Sequence, residues 1–229
     1  KYKNLALLNN KPLIYYVIEE AKKSKIFDEI YVNSDHEIFR KISKRYNISF
    51  YKRDQKLGGA KIKSDEVVFN FLNNVECDLL VWLNPIAPLQ EAKEIRKVIK
   101  YFINNKLNSL ITTNKVYRHA IFKKKYLNFK NNEKFAKTQD LDPIEQFVYS
   151  IMMWSSKSFR KNYYNSKGAI IHGKFKTFEV SQNSGLIVKN SFDLKLIENI
   201  IKNKNKDINK VKYDKLINTI NVQNKKKYL

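Results

Sequence analysis

Apolar and polar positions follow two periods over the first half of the chain. After the polar turn LLNNK, Leu13, Val17 and Ala21 recur at helical spacing, while Tyr15, Tyr16, Glu19 and Glu20 fall mostly elsewhere on the wheel. A helix is predicted there, with Pro12 at its first position and Ser24–Lys25 at its end. EIYVNS (29–34) is a short β-branched run and predicts a strand. HEIFRKISKRY (36–46) predicts a helix capped by Asp35, and ISFYK (48–52) a second strand. DEVVFNFLNN (65–74) predicts a helix capped by Ser64 or Asp65. DLLVWLN (78–84) is apolar almost throughout, the pattern of a central strand buried on both faces. A helix over 91–103 and a strand over 108–114 follow.

From about 115 to 147 the alternation stops. VYRHAIFKKKYLNF reads as a hairpin and NNEKFAKTQDLDPIEQ as loop. YSIMMWSS (149–156) resumes as a strand, SFRKNYY is a short helix, KTFEVS (176–181) a strand, and FDLKLIENIIKN (192–203) the last helix. Strands alternating with helices at this spacing predict an α/β fold, a mostly parallel sheet with helices on both faces. Such sheets place ligands at the carboxyl ends of their strands. Two polar stretches fall at such ends, NSDHE (33–37) and NPIAPLQ (84–90). Residues 1–203 read as one domain, with 204–229 a basic, asparagine-rich tail that is solvated and frayed, or else docked on the core or a second subunit.

Composition changes this picture less than it first suggests. Lysine and arginine number 45 against 22 acids, a net charge of +23 over 229 residues. That invites a nucleic-acid partner. Yet only six of the 45 are arginines (Arg40, Arg45, Arg53, Arg96, Arg118 and Arg160), and arginine is the residue that forks onto phosphates and base edges. With 27 asparagines beside the lysines, the charge reads as solvated faces. A basic module for nucleic acid or an acidic polymer stays as the alternative, disfavoured because no aromatic–basic RNA motif is present. The single cysteine, Cys77, excludes a disulfide framework within the chain, and His36, His119 and His172 show no metal spacing. No apolar run approaches the ~20 residues of a membrane span. With no visible signal peptide, a soluble, cytoplasmic protein is expected.

The order of short motifs adds a more specific reading. KNLALLNNKPLI, FDEIYVNSD, RDQKLGGAKIKSDEVV, WLNPIAPLQ and TQDLDP stand in one collinear series from Lys3 to about Asn203. The series resembles the cytidylyltransferases that activate acidic sugars, above all the acylneuraminate (CMP-sialic acid) synthetases. Each motif alone is weak, and their order is what carries the resemblance. It implies a Rossmann-like sheet, a projecting arm (about 115–147) used in homodimerisation, and CTP as substrate. It also implies attack of a ketosugar acid's anomeric hydroxyl on the α-phosphorus, with pyrophosphate leaving. Such chemistry needs charge neutralised on the triphosphate, usually by Mg²⁺ and backbone amides.

Carried over by position, the resemblance implies that Lys3, Asn4, Arg53 and Ser64 bind the nucleotide. Asn84, Gln139 and Asp140 are implied for the sugar side. The departures matter as much. The family's glycine-rich, basic phosphate loop of the type PARGGSKR has no counterpart in residues 1–229. Its metal-holding acid pair falls on Ile187 and Lys189, neither an oxygen ligand for Mg²⁺. Other family residues give way to Ala60, Gln90 and Thr138, and the family's ENG has no counterpart near Phe147–Tyr149. The missing loop reads as true loss or as truncation, and a degenerate or truncated nucleotide-site protein with weak or no turnover is therefore expected. A structural partner subunit is the further alternative.

Overall fold

The computed structural model describes residues 2–59, 61–131 and 134–203. The tail 204–229 and Ala60 lie outside the described residues. The chain opens with a short 3₁₀ turn, Lys3–Leu5, then pairs β1 (Leu7–Leu8) with β2 (Lys11–Pro12) across Asn9 and Asn10, both at positive φ. α1 (Leu13–Ser24) follows. Pro12 proves to be the cap position rather than the first helical residue, because it is held extended by its pairing with Leu7. β3 (Tyr31–Ser34), α2 (Ile38–Tyr46) and β4 (Ser49–Lys52) come next. α2 starts two residues later than its sequence suggests. Asp35 does not cap it, since its carboxylate meets the Arg53 guanidinium and the His36 ring accepts the Ile38 N–H.

α3 (Ser64–Asn74) is entered through Lys63, whose N–H is accepted by Glu66. Ser64 is the first helical residue and Asp65 is spent elsewhere, accepting the N–H groups of Ala169 and Ile170 at 2.6 and 3.0 Å. β5 (Leu79–Leu83), α4 (Ala92–Asn104) and β6 (Ser109–Val116) precede the arm, whose hairpin is β7 (Ile121–Phe122) and β8 (Lys125–Tyr126). Lys123 and Lys124 both take positive φ, as a two-residue I′ turn requires. β9 runs from Ile144 to Ser155, so the end of the stretch read as loop, 144–146, is strand. α5 (Ser156–Ser166), β10 (Phe175–Glu179) and α6 (Ser191–Asn203) complete the described chain.

The strands form one four-stranded sheet, in the order β10-β6-β9-β5, and a separate parallel pair, β3-β4. β6 and β10 are parallel, whereas β9 runs antiparallel to both β5 and β6. The sheet is mixed for a topological reason: among the described residues no α-helix lies between β6 and β9. The chain leaves along one strand and returns along the other through the arm, so the two strands must oppose each other. β5 was expected to be central and fully buried. Its ladder is instead one-sided, and all five of its residues are only half-buried.

α3 bridges the two sheets. Val68, Phe71 and Leu72 pack against Tyr31 and Tyr51 of the β3-β4 pair and against Leu80 and Trp82 of β5. On the opposite face Leu79, Val81 and Leu83 meet Ile95, Val98, Ile99 and Phe102, the apolar stripe of α4. The N-terminus of α4 is held from outside the helix: the Glu20 carboxylate of α1 accepts the Ala92 N–H at 2.8 Å, an anion at the positive helix end.

Candidate nucleotide site

Several sequence-derived candidates meet at the edge where β3, β4 and β5 end. The Arg53 N–H donates to the Ser34 carbonyl at 3.0 Å, extending the β3-β4 pair by one residue. Its guanidinium then turns over the end of β3, reaching Asp35 Oδ1 at 3.3 Å and Asn33 Oδ1 at 3.5 Å. The side chain is only 17% exposed, and its Nε is buried with no acceptor. Lys52 is fixed beside it by the Asp35 carbonyl at 2.8 Å. Lys52 and Arg40 both bond Glu37, and these contacts hold the Glu37 carboxyl down at about 2. The loop after Arg53 folds closely over Asp35. A Cβ added to Gly58 would lie 2.4 Å from Asp35 Oδ2, so a side chain there would push the Asp35 carboxylate aside.

The first residues lie on the same edge. The Tyr2 hydroxyl is 3.2 Å from His36 Nε2. Lys3 Nζ donates to the Val188 carbonyl at 3.3 Å, and the Val188 N–H donates to the Ile86 carbonyl at 2.8 Å. Those two bonds tie the N-terminal turn, the 84–90 turn and the approach to α6 into one wall. Asn4 is half-buried in that turn, and its amide makes no hydrogen bond among the described residues.

Asn84 stands at the end of β5. Its side-chain carbonyl accepts the Ile86 N–H at 3.4 Å, and its backbone carbonyl accepts from Ala87. Gln90, where the family carries arginine, is 2% exposed and donates inward to the Asn84 and Ala87 carbonyls. Both residues shape the turn, and Gln90 offers nothing outward.

For the remaining candidates no hydrogen bond to this edge is formed among the described residues. Ser64 is exposed at the start of α3, with no bond to Lys3, Arg53 or Asn84. Gln139 and Asp140 sit in a 3₁₀ turn of the arm. Asp140 borders a cavity of about 440 Å³ there, lined also by Tyr126, Phe129, Lys134 and Phe135. The sequence reading missed Asn33 and Asp35 as the partners that aim Arg53. The signal was the polar run NSD closing a β-branched strand.

Comparisons with known proteins give the family. The cytidylyltransferase family model matches residues 1–170. The chain belongs to the cytidylyltransferase family. Among its relatives, the post-translational flagellin modification protein B of Campylobacter coli is 28% identical over 90% of both chains. An N-acylneuraminate cytidylyltransferase of Streptococcus agalactiae is 26% identical over 62% of this chain, which spans only 37% of that enzyme. A pseudaminic acid cytidylyltransferase of Campylobacter jejuni is 29% identical over 61% of this chain and 65% of its own.

Solved structures agree on the fold. A CMP:2-keto-3-deoxy-manno-octonic acid synthetase complexed with CTP matches 88% of this chain and 92% of its own, at a TM-score of 0.66 and 13% identity. A 4-diphosphocytidyl-2C-methyl-D-erythritol synthase from Anaerococcus prevotii matches 87% and 93% at 0.63 and 12%.

The resemblance also implied Mg²⁺, and the residues present do not fit it. Among the described residues no group of three or more His, Cys, Asp or Glu side chains is placed to hold a metal ion. Ile187 is half-buried and Lys189 exposed. The next acid, Asp193, already accepts the N–H groups of Lys189 at 2.7 Å and Asn190 at 3.0 Å, capping α6. Magnesium beside a triphosphate is held through one or two protein carboxylates, and Ile187 and Lys189 supply none at the positions the resemblance gives the acid pair.

Proposed function

We infer that this chain is a sugar-acid cytidylyltransferase by descent that binds CTP but turns it over weakly or not at all. The nucleotide lies at the ends of β3, β4 and β5, with Lys3, Asn4 and Arg53 as its contacts. Arg53 carries the reading. Its guanidinium is aimed over the end of β3 by Asn33 and Asp35 and stays partly exposed there, a pre-placed planar cation suited to an anionic oxygen. The sugar acid is of the sialic type, as in the names of the streptococcal and Campylobacter jejuni relatives. Ser64, Gln139 and Asp140 are secondary candidates, since no bond links them to that edge.

Weak turnover follows from charge. Transfer at the α-phosphorus needs the developing charge met by prearranged cations, and losing a major source of that stabilisation costs orders of magnitude in rate. Here the acid pair that would hold the metal is Ile187 and Lys189. A homodimer through the arm completes the proposal: Ile121, Phe122, Tyr126, Leu127 and Phe135 are exposed on it, a patch too apolar to be left in water.

Calorimetric titration with CTP, UTP and ATP tests the site. CTP is expected to bind most tightly, and Arg53→Ala to weaken it roughly 10- to 100-fold, the worth of a lost charge-assisted bond. Equal binding of all three nucleotides, or an unchanged Arg53→Ala, would refute the placement.

A further inference from the structure

The wall that fails as a metal site is not neutral. Lys3 reaches the Val188 carbonyl, and Val188 is the residue between Ile187 and Lys189. Two lysines thus flank one buried valine that is bonded to the 84–90 turn. The Lys3 ammonium has three N–H donors and uses one of them within the described structure, at a long 3.3 Å. Lys189 is exposed, and only its backbone N–H is engaged, by Asp193. Neither ammonium is paired with a carboxylate among the described residues.

The acids near this edge are already committed. Asp35 faces Arg53, Glu37 faces Arg40 and Lys52, and Asp193 caps α6. The wall thus presents the Lys3 and Lys189 ammonium groups without an ion pair among the described residues, with the Asp193 carboxylate near the Lys189 backbone. A triphosphate is a polyanion, and bare ammonium groups are compact point charges suited to it.

We propose that Lys3 and Lys189 together take the charge-neutralising place of the divalent cation, so that this chain binds the free triphosphate of CTP without metal. The inference rests on the nucleotide site described above and goes beyond it in fixing the form of the ligand. A magnesium-complexed triphosphate has already lost part of its charge, so this wall favours the uncomplexed nucleotide. Loss of the acids is then an exchange of one binding mode for another at the same place.

Titration of residues 1–229 with CTP, in EDTA and in excess Mg²⁺, tests this. In EDTA the parent should bind at least as tightly as in Mg²⁺. Lys189→Ala and Lys3→Ala should each weaken binding in EDTA roughly 10- to 100-fold, the range for a lost bond to a charged group. Lys189 is exposed, so its substitution should leave the melting temperature unchanged and isolate the charge effect. The double variant Ile187→Asp, Lys189→Asp restores the acid pair and should make binding depend on Mg²⁺. Binding of CTP by the parent only with Mg²⁺, or an unchanged Lys189→Ala in EDTA, overturns the proposal while leaving the nucleotide site standing. Failure of the parent to bind CTP in both buffers overturns the nucleotide site, and the proposal with it.

Discussion

His172 shows how a residue that invites a functional reading is absorbed by structure. It is 8% exposed, with Nδ1 2.5 Å from the Ala169 carbonyl and Nε2 2.9 Å from the Ser158 hydroxyl. The carbonyl can only accept, so Nδ1 carries the proton and the hydroxyl donates to Nε2. Burial lowers its pKa below the ordinary 6.5, against a smaller raising effect of the Ala169 carbonyl. The sign is set by which state binds more protons. Below pH 6.5 the unfolded chain takes up a proton that the folded one refuses, so stability falls as pH falls from 6.5 toward the depressed value. Melting temperatures measured from pH 7.5 to 5 should show that decline, and His172→Gln should flatten it; an identical slope in both proteins would contradict the assignment.

The same scale explains why single motif residues were hard to weigh. Asn84 and Gln90 are legible as family positions, but their bonds run into the 84–90 turn, which depends on where the chain bends and not on residue type. Tyr149 is a similar case. It takes φ 53° where the β6-β9 ladder shifts register, a conformation that glycine adopts freely and a bulky residue rarely does.

Among elements, local period was enough to place nearly every helix and strand, because α1, α3 and α4 each bury one apolar stripe. Strand neighbours were not legible. LLVWL announces a strand with two apolar faces, yet nothing in five residues states how many partners it will have. The Ser150 carbonyl accepts from Asn84, and the Asp78 carbonyl accepts from Ser156. In the antiparallel register between them, Leu80 and Trp82 bond β9, whereas Leu79, Val81 and Leu83 point their N–H groups to the unladdered side. Amide hydrogen exchange should therefore be slow at Leu80 and Trp82 and markedly faster at Leu79, Val81 and Leu83. Uniform protection along β5 would show a partner strand on that side. The direction of β9 was likewise hidden, since it depends on the absence of a helix in the arm, a stretch whose period is irregular.

For the whole molecule, the class of fold was legible from alternation and the family from collinear motifs, while the arm's proposed role in a dimer calls for a second copy. Light scattering after size-exclusion chromatography should give twice the chain mass. Ile121→Asp with Phe122→Asp should give the single mass without loss of folding, because both side chains are about 60% exposed. A monomeric parent would remove the dimer from the proposal. Net charge of +23 is carried mainly by lysines, so it bears on solubility and on attraction of an anionic ligand more than on base-specific contacts.

Catalysis is where these scales meet: a family fold, cations at the strand ends, and the proposed exchange of the metal's acid pair for Ile187 and Lys189. The decisive measurement is pyrophosphate release by residues 1–229 with CTP and N-acetylneuraminic acid, followed across a Mg²⁺ titration. Release at or near background at every Mg²⁺ concentration is predicted; robust turnover that rises with Mg²⁺ would contradict it.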